Sequence, residues 1–283
     1  MLMGGGRGVA VRRGDQEPPG GRADSVATGG RADNVGSDGS TDDLKAGGDF
    51  RAALYSRYVS GFKGEANLDG DVSFAWWDHK YLPLLDDLER SAPVLEIGCG
   101  AGGLLAYLER RGFSHAQGID ISAEQVARAR QRGVNAEVGD VFEFLQRHQG
   151  GFAVILAVDV LEHFARDELI RLAPLLHTAL KPGGRLLVQT ANGAGLFPRQ
   201  VIYGDLTHMT IFTPESLAQL LRPNGFVDFG FYETGPIPIR LRGKLDVALW
   251  AGLKAVANVV RSVETGKRQA IWTENFICRA FKR

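Results

Sequence analysis

At 283 residues and 44% hydrophobic content, the chain is long enough for one large domain with a substantial core. Lys plus Arg and Asp plus Glu both number 33, so there is no cationic excess of the kind a nucleic-acid partner selects. Two cysteines, Cys99 and Cys278, exclude a disulfide framework and fit a reducing cytoplasm. The Gly- and Arg-rich start shows no apolar signal-peptide core, and no apolar run reaches the roughly 18 residues of a membrane span.

Residues 1–49 are rich in Gly, Asp, Arg and Ser and contain Gly20-Gly21-Arg22-Ala23-Asp24 twice over, the second copy at Gly29 to Asp33. So little apolar surface cannot offset the entropy of ordering, and a disordered tail is expected. Residues 50–92 carry Tyr55, Tyr58, Phe62, Phe74, Trp76, Trp77 and Tyr81 and are expected to form a helical cap. Its main helix is predicted over Ser73–Arg90, with Ser73 as N-cap.

Residues 93–283 then alternate strand and helix: strands at 94–97, 116–119, 136–138, 152–158 and 185–190, helices at 103–111, 123–132, 141–147 and 167–180. Such alternation predicts an α/β doubly wound, mostly parallel sheet with ligands at the C-terminal strand edge. A loop over 191–212, a helix over 214–221 capped by Thr213, and strands over 226–233 and 271–281 complete the pattern. Between those last strands, residues 235–270 form an insertion with an amphipathic helix over 245–263. From Gly235 onward ten Lys or Arg face three acids, so a peripheral membrane contact through 245–263 is one reading and an ordinary packed helix the other.

The chemistry begins in Val94-Leu95-Glu96-Ile97-Gly98-Cys99-Gly100-Ala101-Gly102-Gly103, a buried strand entering a glycine turn that opens a helix. Gly98, Gly100 and Gly103 have dinucleotide-fingerprint spacing, but Glu96 sets a negative charge where a pyrophosphate would lie. That charge suits a cationic ligand without phosphate. At the end of the second strand, Asp120 stands twenty residues past Gly100 and can accept from both hydroxyls of a ribose. After the third strand come Asp140 and Val141, a carboxylate and a backbone amide able to read an adenine edge. An N-cap is the plainer role for Asp140. The fourth strand ends in Asp159-Val160-Leu161-Glu162-His163.

This succession resembles the class I S-adenosylmethionine-dependent methyltransferases, and Asp159 to His163 resembles the D-V-L-E-H form of small-molecule O-methyltransferases such as those of ubiquinone biosynthesis. The resemblance implies a seven-stranded sheet with its last strand antiparallel. It also implies S-adenosyl-L-methionine held by Glu96, Gly98, Cys99, Gly100, Gly102, Asp120, Ile121, Asp140, Val141 and Asp159. Neither an N-P-P-Y motif nor a Pro-Cys nucleophile is present, which disfavours methylation of nucleic-acid bases.

Gly204 to Pro214 resembles the acceptor loop of bacterial polysaccharide-associated methyltransferases, implying a sugar, glycan precursor or similar small molecule as acceptor. A quinone-like, phenolic or lipid-linked acceptor is the alternative. A non-catalytic cofactor-binding protein is a further one. Activation of a hydroxyl calls for a base, and His208, oriented by Asp205, is the first candidate, with His163 second. Asp159, Glu162, His163, Asp205 and His208 are scattered without ligand spacing, so no metal is assigned.

Overall fold

The computed structural model describes residues 71–283, with side chains from Phe74 onward. The tail of 1–49 and the aromatics Tyr55, Tyr58 and Phe62 of the expected cap lie outside the described residues. In chain order the elements are α1 (Asp71–Lys80), β1 (Val94–Ile97), α2 (Gly103–Arg110), β2 (Ala116–Asp120), α3 (Ala123–Gln131), β3 (Ala136–Val138), α4 (Val141–Arg147) and β4 (Phe152–Val158). They continue with α5 (Arg166–Ala179), β5 (Leu180–Ala191), α6 (Arg199–Tyr203), α7 (Pro214–Leu221), β6 (Phe226–Glu233), α8 (Arg240–Thr265) and β7 (Asn275–Lys282).

The seven strands form one sheet in the order β3-β2-β1-β4-β5-β7-β6. β1 pairs in parallel with β2 and β4, β2 with β3, and β4 with β5, whereas β7 runs antiparallel between β5 and β6. Alternate residues of the central strands serve opposite faces. Leu95, Ile155, Leu186 and Cys278 join α4, α5 and α7 in one core, while Val94, Val154, Leu187 and Ile277 join Tyr81, α2 and α3 in the other. Burial on both faces explains why these strands are near-continuous apolar runs. Strand order reverses between β1 and β4, and that switch point sets the site beside the glycine turn.

Five elements differ from the sequence expectation, one of them α6, a short helix within the stretch expected as a loop. The first helix stops at Lys80, and a 3-10 turn over Leu82–Leu84 follows, because Pro83 has no backbone N–H to carry the α-helical ladder onward. Ser73 falls inside α1 instead of capping it. The β5 strand starts at Leu180, five residues before the expected 185: Leu180 pairs with Phe152 and Arg185 with Val154, so the residues between the expected helix and strand form an irregularity within the ladder. The last strand begins at Asn275, and the insertion helix is longer than its apolar stripe, ending at Gly266 with φ +69°.

Candidate active site

The glycine turn is shaped by contacts that admit no side chain at two positions. Gly98 has φ +66°, and a Cβ there would lie 2.4 Å from Val160 Cγ2. Gly102, with φ +77°, would meet Val134 Cγ2 at 2.7 Å. Left-handed backbone and close packing both demand glycine. At Gly100 a Cβ would touch nothing within 4 Å, so the turn's middle opens as a cradle. Its backbone is tied to the second strand by Gly98 and Cys99 amides donating to Ile119 O at 2.8 and 3.1 Å.

Asp120 braces this turn as well as facing it. Its Oδ2 accepts the Gly100 amide at 2.8 Å and its Oδ1 the Ser122 amide at 2.8 Å. Next to it Ile121 is 61% exposed, an apolar side chain offered to the cleft end of β2. Asp140 caps α4, its Oδ1 accepting from the Phe142 and Glu143 amides at 2.8 and 3.2 Å, and Val141 is the first residue of that helix. Cys99 is buried, and burial pushes its thiol well above the ordinary range, so it is a packing residue of the turn.

Glu96 is the outstanding electrostatic feature. It is buried in the middle of the sheet, its Oε2 has no hydrogen-bond partner, and burial followed by the nearby Asp120 charge raises its pKa well above the carboxylate range. A buried carboxylate with an unmet acceptor selects a cationic group.

From β4 onward the site gains a second set of groups. Asp159 has φ +53°, a conformation rare outside glycine, and its carboxylate accepts from Gln189 Nε2 at 3.2 and 3.1 Å. Gln189 Oε1 in turn accepts the hydroxyl of buried Tyr81 at 2.9 Å, which ties the segment after α1 to the site floor. Glu162 is buried and takes the Thr190 hydroxyl at 2.9 Å, while its carbonyl receives the Met209 and Thr210 amides.

The loop after β5 brings His208 beside His163, ring centroids 4.8 Å apart in an edge-on arrangement. The partner that sequence reasoning missed is Thr207. Its hydroxyl and amide both donate to Asp205 Oδ1, at 2.6 and 2.9 Å, and its Oγ1 lies 2.8 Å from His163 Nδ1. With its one hydrogen directed at the carboxylate, Thr207 must accept from His163. The Thr207 carbonyl, 3.3 Å from the same Nδ1, can only accept too. Nδ1 therefore bears the proton and Nε2 the lone pair. Asp205 thus reaches His163 through Thr207, whereas His208 Nδ1 is buried without a hydrogen-bond partner. Glu162, His163 and His208 also bring one donor atom each within 4.8 Å of one another, a carboxylate and two imidazoles able to hold a divalent cation.

The cradle, the buried Glu96 and the Asp120 and Asp140 carboxylates fit S-adenosylmethionine: room for the ligand at Gly100 and an unmet acceptor for its ammonium or sulfonium charge. The methyltransferase domain profile matches residues 73–228, more than half of the chain. The chain belongs to the class I S-adenosylmethionine-dependent methyltransferases. Among relatives of this methyltransferase, the ubiquinone biosynthesis O-methyltransferase of Xylella fastidiosa (strain 9a5c) is 28% identical over 207 residues, 62% of this chain and 82% of the relative. The mitochondrial ubiquinone biosynthesis O-methyltransferase of Rattus norvegicus is 29% identical over 203 residues, 54% of this chain and 57% of that one.

Solved structures share the fold. A SAM-dependent methyltransferase from Archaeoglobus fulgidus superposes with TM-score 0.57 at 18% identity, covering 82% of this chain and 99% of its own. Phosphoethanolamine N-methyltransferase 2 of Haemonchus contortus, in complex with S-adenosyl-L-methionine, gives 0.53 at 16% identity, covering 85% and 59%. The methyltransferase fold is thus shared with a protein named for methylation of nitrogen, and the acceptor must be argued from the site.

Proposed function

We propose that this methyltransferase transfers the methyl group to the hydroxyl oxygen of a phenolic or quinone-type small molecule, with His163 as general base. The Asp205–Thr207–His163 relay carries the proposal, because it sets the imidazole in the tautomer whose Nε2 can take a proton. The chemistry the cofactor supplies when bound is an electrophilic methyl on a sulfonium sulfur. Glu96 receives the cationic end, Asp120 the ribose and Asp140 with Val141 the adenine. Asp159, fixed by Gln189, borders the acceptor side. His163 Nε2 takes the hydroxyl proton as the oxygen becomes a nucleophile, and the Asp205 charge stabilises the imidazolium through Thr207.

An aromatic acceptor is favoured over a sugar by two observations. The loop after β5 presents Phe197, Tyr203, Leu206 and Met209 with 43–85% exposure, apolar surface that suits a flat ring better than a polyol. The relatives described above are named for O-methylation in ubiquinone biosynthesis.

The test is methyl transfer from labelled cofactor to a panel of catechols and hydroquinones beside a panel of nucleotide sugars. Transfer to the first panel alone is expected. Transfer to the sugars alone overturns the acceptor class. A second reading, in which Glu162, His163 and His208 hold a divalent cation that acidifies the hydroxyl, is favoured by their convergence. Dialysis against a chelator separates the two: activity survives if His163 is the base and is lost, then restored by zinc or manganese, if these residues hold a metal.

A further inference from the structure

Helix α8 wears its polar and apolar sides the opposite way from an ordinary surface helix. Its inner side meets the protein through polar groups: Trp250 Nε1 and Lys254 Nζ donate to Glu233 Oε2 at 3.2 and 2.5 Å, and Asn258 exchanges hydrogen bonds with Gln269. Its outer side carries Leu245, Leu249, Leu253, Val256, Val260 and Val263, each 56–84% exposed. With 3.6 residues per turn these six fall within an arc of about 80° along a helix about 39 Å long. No residue of α8 is buried. Scattered exposed leucines need no explanation, but a continuous apolar row on a solvent face marks an interaction surface.

We infer that α8 lies flat in the surface of an anionic lipid bilayer, its leucine and valine row among the acyl chains. Charge decides between this occupant and a second copy of the chain. Arg240, Arg242 and Lys244 crowd the N-terminal end, and Lys267 and Arg268 follow the C-terminal end, against Asp246 and Glu264. Two copies paired in parallel would oppose the N-terminal cations to each other. Antiparallel pairing would oppose them to Lys267 and Arg268. Both orientations set like charge against like, whereas a plane of anionic headgroups complements both ends at once. Among the described residues no helix is long and apolar enough to cross a membrane, which agrees with a helix lying along the surface.

The position of α8 gives the contact a use. β5 and β6 are both antiparallel to β7, so β6 ends at the same sheet edge as β1 and β4, where the site lies. The α8 helix leaves from that end of β6, and Gln269 just beyond it donates to Ala194 O in the loop after β5 at 2.6 Å. A bilayer under α8 therefore flanks the acceptor side. The inference holds whichever acceptor is methylated.

Vesicle co-sedimentation of the full chain tests it, with vesicles of phosphatidylcholine alone and of phosphatidylcholine mixed with phosphatidylglycerol. The native chain is expected to sediment with the mixed vesicles, more weakly at high salt, and little with the neutral ones. The variant L249E/V256E/V260E alters only solvent-facing side chains and should bind S-adenosylhomocysteine as the native chain does. Its partition onto mixed vesicles should fall by on the order of tenfold or more. Equal sedimentation of the variant, or none of the native chain, overturns the inference. So does a native dimer in light scattering that the variant converts to monomer while neither sediments, because the occupant is then a second copy.

Discussion

Replacing Glu96 by Gln separates what the buried carboxylate does for the fold from what it does for the cofactor. Oε2 of Glu96 is buried with no partner, and desolvation holds its pKa above that of the unfolded chain. The folded state therefore binds the proton more tightly, and stability falls as pH rises from the unfolded value of about 4.3 toward the folded one. Above that window the native protein carries the full cost of an uncompensated buried charge. The substitution removes that buried charge while leaving a neutral polar side chain, a relief of roughly 1–3 kcal/mol. At about 3 °C per kcal/mol for a domain of this size, Glu96→Gln should melt roughly 3–9 °C higher at pH 8. The gain should shrink as pH falls toward about 4.3 and vanish below it, where the carboxyl is protonated in the folded and the unfolded chain alike. The same variant should bind S-adenosylmethionine more weakly, since a neutral amide offers the cation less. At pH values within that window, where the folded carboxyl still holds its proton, cofactor binding to the native protein should release it, read as a dependence of the calorimetric heat on buffer ionisation. A variant that melts lower at pH 8 and binds the cofactor unchanged would refute the reasoning.

Asp120→Ala removes both the ribose acceptor and the brace on the Gly100 and Ser122 amides, so affinity for S-adenosylhomocysteine should drop by about 1–3 kcal/mol in a calorimetric titration. His163→Ala should lower kcat by about 10²–10⁴ with cofactor affinity intact. Thr207→Val should give a smaller loss of the same kind, and His208→Ala a smaller loss than His163→Ala. Gly102→Ala forces a left-handed alanine against Val134 and Ala129, and its thermal melt should show a loss of at least about 1–2 kcal/mol.

Most of the fold was legible because the central strands β1, β4 and β5 are buried on both faces and the elements are bounded by Gly, Pro or an N-cap. β3, β4, β6, α4 and α7 begin and end where their patterns do. The glycine turn was legible for a related reason, since backbone at positive φ restricts the residue type. Where contacts from elsewhere decided, the reading fell short. Leu180 joins the sheet through Phe152 despite the Pro and Gly that follow it. Thr207 is one threonine in the loop after β5 until folding sets it against His163, 44 residues earlier. Glu162, His163 and His208 show no ligand spacing for the same reason: strand β5 separates them in sequence. The outward apolar row of α8 was visible as amphipathicity, but only the packed structure shows which side faces the protein.

The account rests on the glycine turn and Glu96 selecting S-adenosylmethionine over a phosphate-bearing dinucleotide. Calorimetric titration of the purified chain with S-adenosylhomocysteine, beside NAD under the same conditions, tests it most directly. Saturable one-to-one binding of S-adenosylhomocysteine with no heat from NAD is the predicted result. Binding of NAD without S-adenosylhomocysteine would contradict it, and the roles given to Glu96, Asp120 and His163 would fall together.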